Sequence, residues 1–274
     1  MPYGMLAGNG RFPMLALESA KRLGVEVVVI GIDEEVAPEV LAAAAPRKSY
    51  SISLGALSKL IDICKSEHIT QLMMCGQVKH TKIFSAIRPD WRLIKLLASL
   101  DSKNTDALIG GVARVLKDEG IELVDSTLLL KDLLAPAGVM TKRKPTSDES
   151  KELHYGRRIA TSLADFDIGQ SVVISERACV ALEAMEGTDA ILRRSAELTG
   201  GKPLRLVKSS RRRQHLLFDV PVLGLNSIDV MKETNTTAAS FDAARTLLLD
   251  REELLARANE HRIALVGVLS NDAA

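Results

Sequence analysis

The chain has 274 residues, enough for one large domain or two of ordinary size, and its apolar and charged fractions of 46% and 26% are those of a protein with a full core. Lys and Arg number 36 against 35 Asp and Glu, so net charge exerts no general pull toward nucleic acid or a membrane, and any electrostatic specialisation must be local. Three cysteines without a Cys-x-x-Cys pair support neither a disulfide framework nor a zinc site, and they read as buried reduced thiols.

No apolar run approaches the ~18 residues of a spanning helix, and the first residues lack the pattern of a signal peptide. An intracellular chain is expected, which would meet a membrane-derived substrate at the surface. The sequence opens on a predicted strand over 3–7, the turn Gly8-Asn9-Gly10, and a helix over 12–23 that stops at Gly24, where a left-handed cap suits glycine. The β-branched run 25–32 then predicts a buried parallel strand, completing a βαβ unit with a right-handed crossover.

The alternation continues with a helix over 54–67, a strand over 71–75, helices over 91–100 and 105–119, and a strand over 121–124. Such alternation predicts a parallel sheet covered on both faces. Between residues 131 and 150 the pattern lapses into turn-rich, polar sequence, as linkers do. Beyond it come a helix over 151–165, closely spaced strands over 171–175 and 179–184, a helix after Thr188, and strands over 204–208 and 263–268. Asp250 is placed to cap a helix, with Glu253 reaching back. The fold class is therefore α/β. A Rossmann-like parallel-sheet domain is expected over 1–132, a linker over 133–150, and a mixed α+β domain over 151–274.

Five segments can carry chemistry. The turn Gly8-Asn9-Gly10 joins a strand to a helix, where free amides and the helix dipole favour an anion. A dinucleotide fingerprint would place a third glycine where Pro13 stands, although Asp33 ends the second strand where a ribose carboxylate would lie. Another phosphate-bearing ligand, a nicotinamide or flavin cofactor, and a plain tight turn all stay open. Gly76-Gln77-Val78-Lys79-His80 follows a strand and faces the same crevice, or else is a solvated loop. Glu186-Gly187-Thr188-Asp189 sets two carboxylates around a glycine at a helix start, with Thr188 available as N-cap; this suits Mg²⁺ or an ordinary acidic helix end. The basic run Lys208 to His215 suits a phosphate or an anionic surface, or else is a solvated loop, and its lack of interleaved aromatics weakens a nucleic-acid reading. Asp219 sits among apolar neighbours, where an unpaired charge is costly to bury, and so is a candidate metal ligand or base, or else an exposed turn residue ahead of Pro221.

In this order, the stretches Leu6 to Pro13, Gly76-x-Val78, Glu186 to Arg194, Phe218-Asp219-Val220-Pro221-x-x-Gly224 and Leu247 to Val268 resemble the LpxI-type UDP-2,3-diacylglucosamine pyrophosphatases of lipid A synthesis. The likeness spans nearly the whole chain. It implies Mg²⁺-dependent (or Mn²⁺-dependent) attack of water on a pyrophosphate in a cleft between two domains, releasing UMP and a diacylated sugar phosphate. Asp219 falls on the family's essential aspartate, with Asp189 and Glu186 supporting the metal. The substrate-binding set implied is Gly8, Asn9, Gly10, Gly76, Gln77, Lys79, Asp106, Gly187, Thr188, Lys208 and Gln214. The partners implied are a lipid-linked UDP-sugar and transient contact with the inner membrane surface, with no nucleic acid; a homodimer is compatible with it.

The sequence departs from the family pattern at Gln77, where a lysine is usual, at Asn104-Thr105-Asp106 in place of Gly-Asp-Asp, and at His215 and Leu217 in place of an aspartate and an arginine. Lost charged groups can cost several kcal/mol where they were buried and charge-assisted. A divergent non-catalytic nucleotide- or lipid-binding protein is the alternative reading, with an NAD(P)-dependent oxidoreductase behind it.

Overall fold

Strand β1 (Tyr3–Ala7) lies at the centre of a five-stranded sheet because its neighbours are the most apolar segments of the first half. It pairs in parallel with β2 (Val27–Ile32), which is buried at every position, and with β4 (Gln71–Cys75). The outer strands β3 (Ser49–Ile52) and β5 (Glu122–Leu123) complete the order β3-β2-β1-β4-β5, all parallel. The helices are α1 (Phe12–Leu23), α2 (Pro38–Ala43), α3 (Leu57–Ser66), α4 (Trp91–Ala98) and α5 (Thr105–Asp118). This is the Rossmann-like parallel sheet expected. In the computed structural model the described residues are 1–44, 49–78, 89–100, 105–166, 168–210, 217 and 220–269. Cys64 and Cys75 are buried free thiols; burial pushes Cys64 up to about 11 and Cys75 higher still, so both are inert.

The chain divides into two compact units at Leu130 and Lys131, and Leu217 returns to the first, its carbonyl accepting a hydrogen bond of 2.7 Å from Ser126 Oγ. The segment 133–150, expected as a linker, is instead built into the second unit. There β6 (Gly138–Val139) pairs antiparallel with β13 (Ala264–Val268), and α6 (Ser147–Asp165) starts four residues earlier than expected at a capping box of Thr146 and Glu149.

The second unit's sheet has six strands in the order β6-β13-β11-β9-β7-β8, with β7 (Ser171–Ser175), β8 (Ala178–Leu182), β9 (Leu204–Lys208) and β11 (Thr236–Asp242). β9, β11 and β13 run parallel, while β7 is antiparallel to β8 and β9, which makes the sheet mixed. Alternate residues face opposite ways. Val173, Leu206, Ala239, Phe241 and Leu265 pack under α7 (Thr188–Thr199), α8 (Leu225–Glu233) and α9 (Arg251–Glu260), and Val172, Ile174, Val207, Ala238 and Ala264 pack under α6. A small parallel pair, β10 (Val222–Leu223) with β12 (Leu247–Leu248), lies outside this sheet. Asp250 has φ 50 and makes no cap hydrogen bond to α9, so the expected cap is not formed. Among the described residues no helix is long and apolar enough to cross a membrane.

Glu149 supplies a pH dependence. Burial pushes its carboxyl up, but hydrogen bonds from Arg143, from the Thr237 hydroxyl and from the Thr146 amide outweigh this and hold it near 2, against an ordinary 4.5. A carboxyl depressed on folding stabilises the fold fully above its unfolded value and loses that contribution as pH falls toward its folded one. Urea unfolding should therefore weaken between pH 4.5 and about 2 by on the order of 2–3 kcal/mol from this group. Glu149→Gln should flatten that part of the profile; an unchanged slope would remove Glu149 from it.

Candidate functional site

In the first unit the site is built at the carboxyl ends of β1 and β4, where the strand order reverses and open α/β sheets bind ligands. Gly8-Asn9-Gly10 leaves β1 and Gly76-Gln77 leaves β4, and the two loops are joined by backbone. The Asn9 amide donates to the Gln77 carbonyl at 2.8 Å, and the Gln77 amide to the Asn9 carbonyl at 3.0 Å. The fit leaves no room for side chains: a Cβ at Gly8 would lie 2.6 Å from the Gln77 carbonyl oxygen, and one at Gly76 would lie 2.6 Å from that of Asn9. Asn9 Nδ2 donates to Glu35 Oε2 at 3.3 Å, which orients its amide. α1 starts at Phe12 with no acidic residue in its first turn and no side-chain cap, so its dipole faces this loop pair uncompensated.

Gly76 also has φ +96, a conformation side chains rarely adopt, whereas Gly10, at φ +95, faces open space. Gly76→Ala should therefore cost at least about 2 kcal/mol, from strain and a backbone collision, and Gly10→Ala less, from strain alone. Thermal unfolding of the two variants checks the order; equal losses would mean that the loop pair gives way freely.

In the second unit β8, β9, β11 and β13 end at one edge of the sheet and β7 begins there. The loop after β8 carries Glu183 and the acidic turn into α7. Gly187, at φ 87, is the N-cap of α7, so Thr188 is its first residue rather than its cap. The Thr188 hydroxyl donates to Glu183 Oε1 at 3.0 Å and accepts from Lys208 Nζ at 3.3 Å, with Ser171 Oγ 3.1 Å away. Glu183 is buried and its Oε2 has no hydrogen-bond partner. A hydroxyl with one proton and two lone pairs is saturated by these three neighbours. The arrangement sets the Lys208 ammonium and the start of α7 beside a buried carboxylate, so the cluster offers one cation next to one acceptor.

Beside it, Arg157 of α6 pairs with Asp242 at the end of β11, and the other Asp242 oxygen accepts from the Ser210 amide. Both side chains are almost fully buried. Ser209 is held by Gln170 O and by the Thr161 hydroxyl, so the chain is fastened twice just where β9 ends.

The structure thus brings Gly8, Asn9 and Gly10 together with Gly76 and Gln77, and separately Gly187 and Thr188 together with Lys208. It separates the two carboxylates of the acidic turn. Glu186 is exposed and bound to Arg194 at 2.9 Å and to the Ala184 amide; the hydrogen bond from its own backbone amide, then that from Ala184 and the Arg194 charge, lower its pKa. Asp189 accepts instead from Asn226 Nδ2 at 2.6 Å and Ser227 Oγ at 3.3 Å. No three His, Cys, Asp or Glu side chains converge among the described residues. Lys79, Gln214 and Asp219 lie outside the described residues, and of Asp106 only the helix backbone is described.

Four residues of the second site escaped the sequence reading: Ser171, Glu183, Arg157 and Asp242. The signal available for two of them was a charge in an apolar context, Glu183 after a strand and Asp242 in Ala-Ala-Ser-Phe-Asp-Ala-Ala.

Comparison with known proteins adds a family. The LpxI N-terminal domain matches residues 2–133 and the LpxI C-terminal domain residues 136–266. The chain is 27% identical over 275 residues to the UDP-2,3-diacylglucosamine pyrophosphatase LpxI of Caulobacter vibrioides, covering 97% of this chain and 96% of that protein. Among solved structures, the biotin carboxylase domain of the Hydrogenobacter thermophilus 2-oxoglutarate carboxylase matches 71% of this chain at TM-score 0.27 and 12% identity. The L-amino acid ligase of Bacillus licheniformis matches 72% at TM-score 0.25 and 11% identity. The chain spans 40% and 42% of those two structures, and at that distance they bear on neither fold nor function. Two domain matches that meet almost end to end settle the kinship: the chain belongs to the LpxI family.

Proposed function

We propose that this chain hydrolyses the pyrophosphate of UDP-2,3-diacylglucosamine, giving UMP and 2,3-diacylglucosamine 1-phosphate for lipid A synthesis. The observation that carries the reading is the full-length match to a relative that bears that activity in its name. Two features of the chain support it. Glycine backbone at a switch point, facing an uncapped helix start, is suited to phosphate oxygens. Lys208 with the start of α7 offers a second anion-binding group.

The departures from the family pattern are weaker objections than they look in sequence. At Gln77 the loop is held by the backbone amide and carbonyl, which a change of side chain leaves in place. At Leu217 the backbone carbonyl likewise accepts from the Ser126 hydroxyl.

The reaction takes up one water: one P–O bond of the anhydride breaks, and the water oxygen ends on one of the two phosphates. Phosphoryl transfer of this kind needs positioning and charge neutralisation more than covalent chemistry. The glycine-loop backbone amides would hold phosphate oxygens, and Asp219 would activate the water. Magnesium dependence belongs to the proposal, with Asp219 as the expected ligand; Glu186 and Asp189 are not needed as partners in one ligand set. Contact with the cytoplasmic face of the inner membrane follows from the lipid anchor of the substrate.

The test is turnover of UDP-2,3-diacylglucosamine by the purified chain, with Mg²⁺ and with EDTA. Release of UMP that EDTA abolishes is expected. Folded protein that binds the substrate without turnover would move the chain to the non-catalytic reading.

A further inference from the structure

Large apolar side chains exposed in a group need a reason, since isolated ones are ordinary and clusters are not. Four gather beside the second unit's polar edge. Phe166 closes α6 and is 75% exposed, Ile168 follows at 55%, Leu182 ends β8 at 44%, and Met185 in the next loop is 86% exposed. They form one surface. Leu182 pairs with Val172 and so shares the sheet face on which α6 packs, and the Ile168 amide is tied to Leu163 of that helix. Gly169 is pressed against the loop after β8, where a Cβ would lie 2.0 Å from the Glu183 carbonyl oxygen. Gly169, next to Ile168, and the loop 182–185 are therefore held side by side.

We infer that this patch is where the chain meets a lipid bilayer. The inference rests on the proposed substrate being lipid-anchored, since such an enzyme must reach a headgroup that stays at a membrane. Position supports it: Leu182 and Glu183 are consecutive where β8 ends and face opposite sides of the sheet, so the apolar side chains lie at the same end of the sheet as the group in which Thr188 bonds Glu183 and Lys208. A second copy of the chain fits less well. β8 is the edge strand, the natural place for strand addition, but its Leu182 carbonyl is occupied by Arg194 Nη2 at 3.1 Å. Exposed aromatic and aliphatic side chains are what a bilayer interface takes up.

The experiment is flotation of the full chain with vesicles of phosphatidylethanolamine and phosphatidylglycerol. Wild type should float with them, and the F166D/M185D variant should lose at least about tenfold in bound fraction. Its thermal unfolding and its turnover of detergent-dispersed substrate should stay as in wild type. A W91F/F166W variant, whose single tryptophan then sits in the patch, should show a blue-shifted emission on adding vesicles. Unchanged flotation of F166D/M185D, an emission that does not move, or a loss of flotation only in I94D on the first unit would each overturn the inference. So would a fall in the molecular mass of F166D/M185D in sedimentation, which would give the patch to a second copy. Wild type that floats through this patch yet turns over no substrate would leave the patch standing and remove the pyrophosphatase reading.

Discussion

Asp219→Asn should lower UMP release by at least about a thousandfold while leaving the melting temperature within a degree or two. Asparagine keeps the shape of aspartate and removes its charge, so it isolates the electrostatic role. A carboxylate that activates water or neutralises a metal has no substitute in an amide, and losses of 10²–10⁴ are usual when such a group is removed. The resemblance places the family's essential aspartate at this position, within Phe218-Asp219-Val220-Pro221. Steady-state assay of the variant beside its thermal melt is the check. Activity within tenfold of wild type would take Asp219 out of the chemistry, and a collapse of the melt would make its role structural.

The second large effect falls on stability. Asp242→Asn should destabilise the second unit by about 3–5 kcal/mol, a fall in melting temperature on the order of 10 °C. Arg157 is 5% exposed, its Nε and Nη1 have no hydrogen-bond partner, and Asp242 is its ion-pair partner among the described residues. Asparagine leaves the buried guanidinium without its counter-charge and offers one acceptor oxygen where Arg157 and the Ser210 amide use two. The double variant Arg157→Met with Asp242→Leu should recover most of the loss, because an apolar pair leaves no charge uncompensated. A single-variant loss below about 1 kcal/mol would show that water reaches the pair.

Those two residues also mark where the sequence was hard to read. The first unit was legible because its strands are continuous apolar runs: the ranges expected for β1, β4 and α1 match those observed. The outer strand β3, Ser-Tyr-Ser-Ile, carries too little apolar signal to stand out. In the second unit β11, the sheet's inner strand between β9 and β13, was missed altogether. Thr-Thr-Ala-Ala-Ser-Phe-Asp is small and polar, and its burial comes from neighbours on both sides and both faces rather than from its own hydrophobicity. The linker expected over 133–150 failed for a related reason. Lys-Arg-Lys-Pro-Thr looks solvated, yet Arg143 reaches Glu149 and the Thr237 carbonyl, and Thr141 accepts from the Leu265 amide, so long-range pairing consumes the polar groups.

Of the candidate sites, the glycine loop was readable because only glycine satisfies its close approach, which is a local property. The pairing of Gly187-Thr188 with Lys208 was named in the same binding set, but what joins them is the hydroxyl of Thr188, visible only once β8 and β9 are in one sheet. Glu186 and Asp189 were grouped by adjacency in sequence. Around the start of a helix two such side chains diverge, and here each has taken a different partner.

Identification of the phosphorus-containing products by ³¹P NMR tests the central claim most directly. Phosphoanhydride hydrolysis predicts two monoesters in equal amounts, UMP and the diacylated sugar 1-phosphate, with no UDP. Appearance of UDP with a free diacylated sugar would mean that the glycosidic bond is cut instead, and would contradict the account.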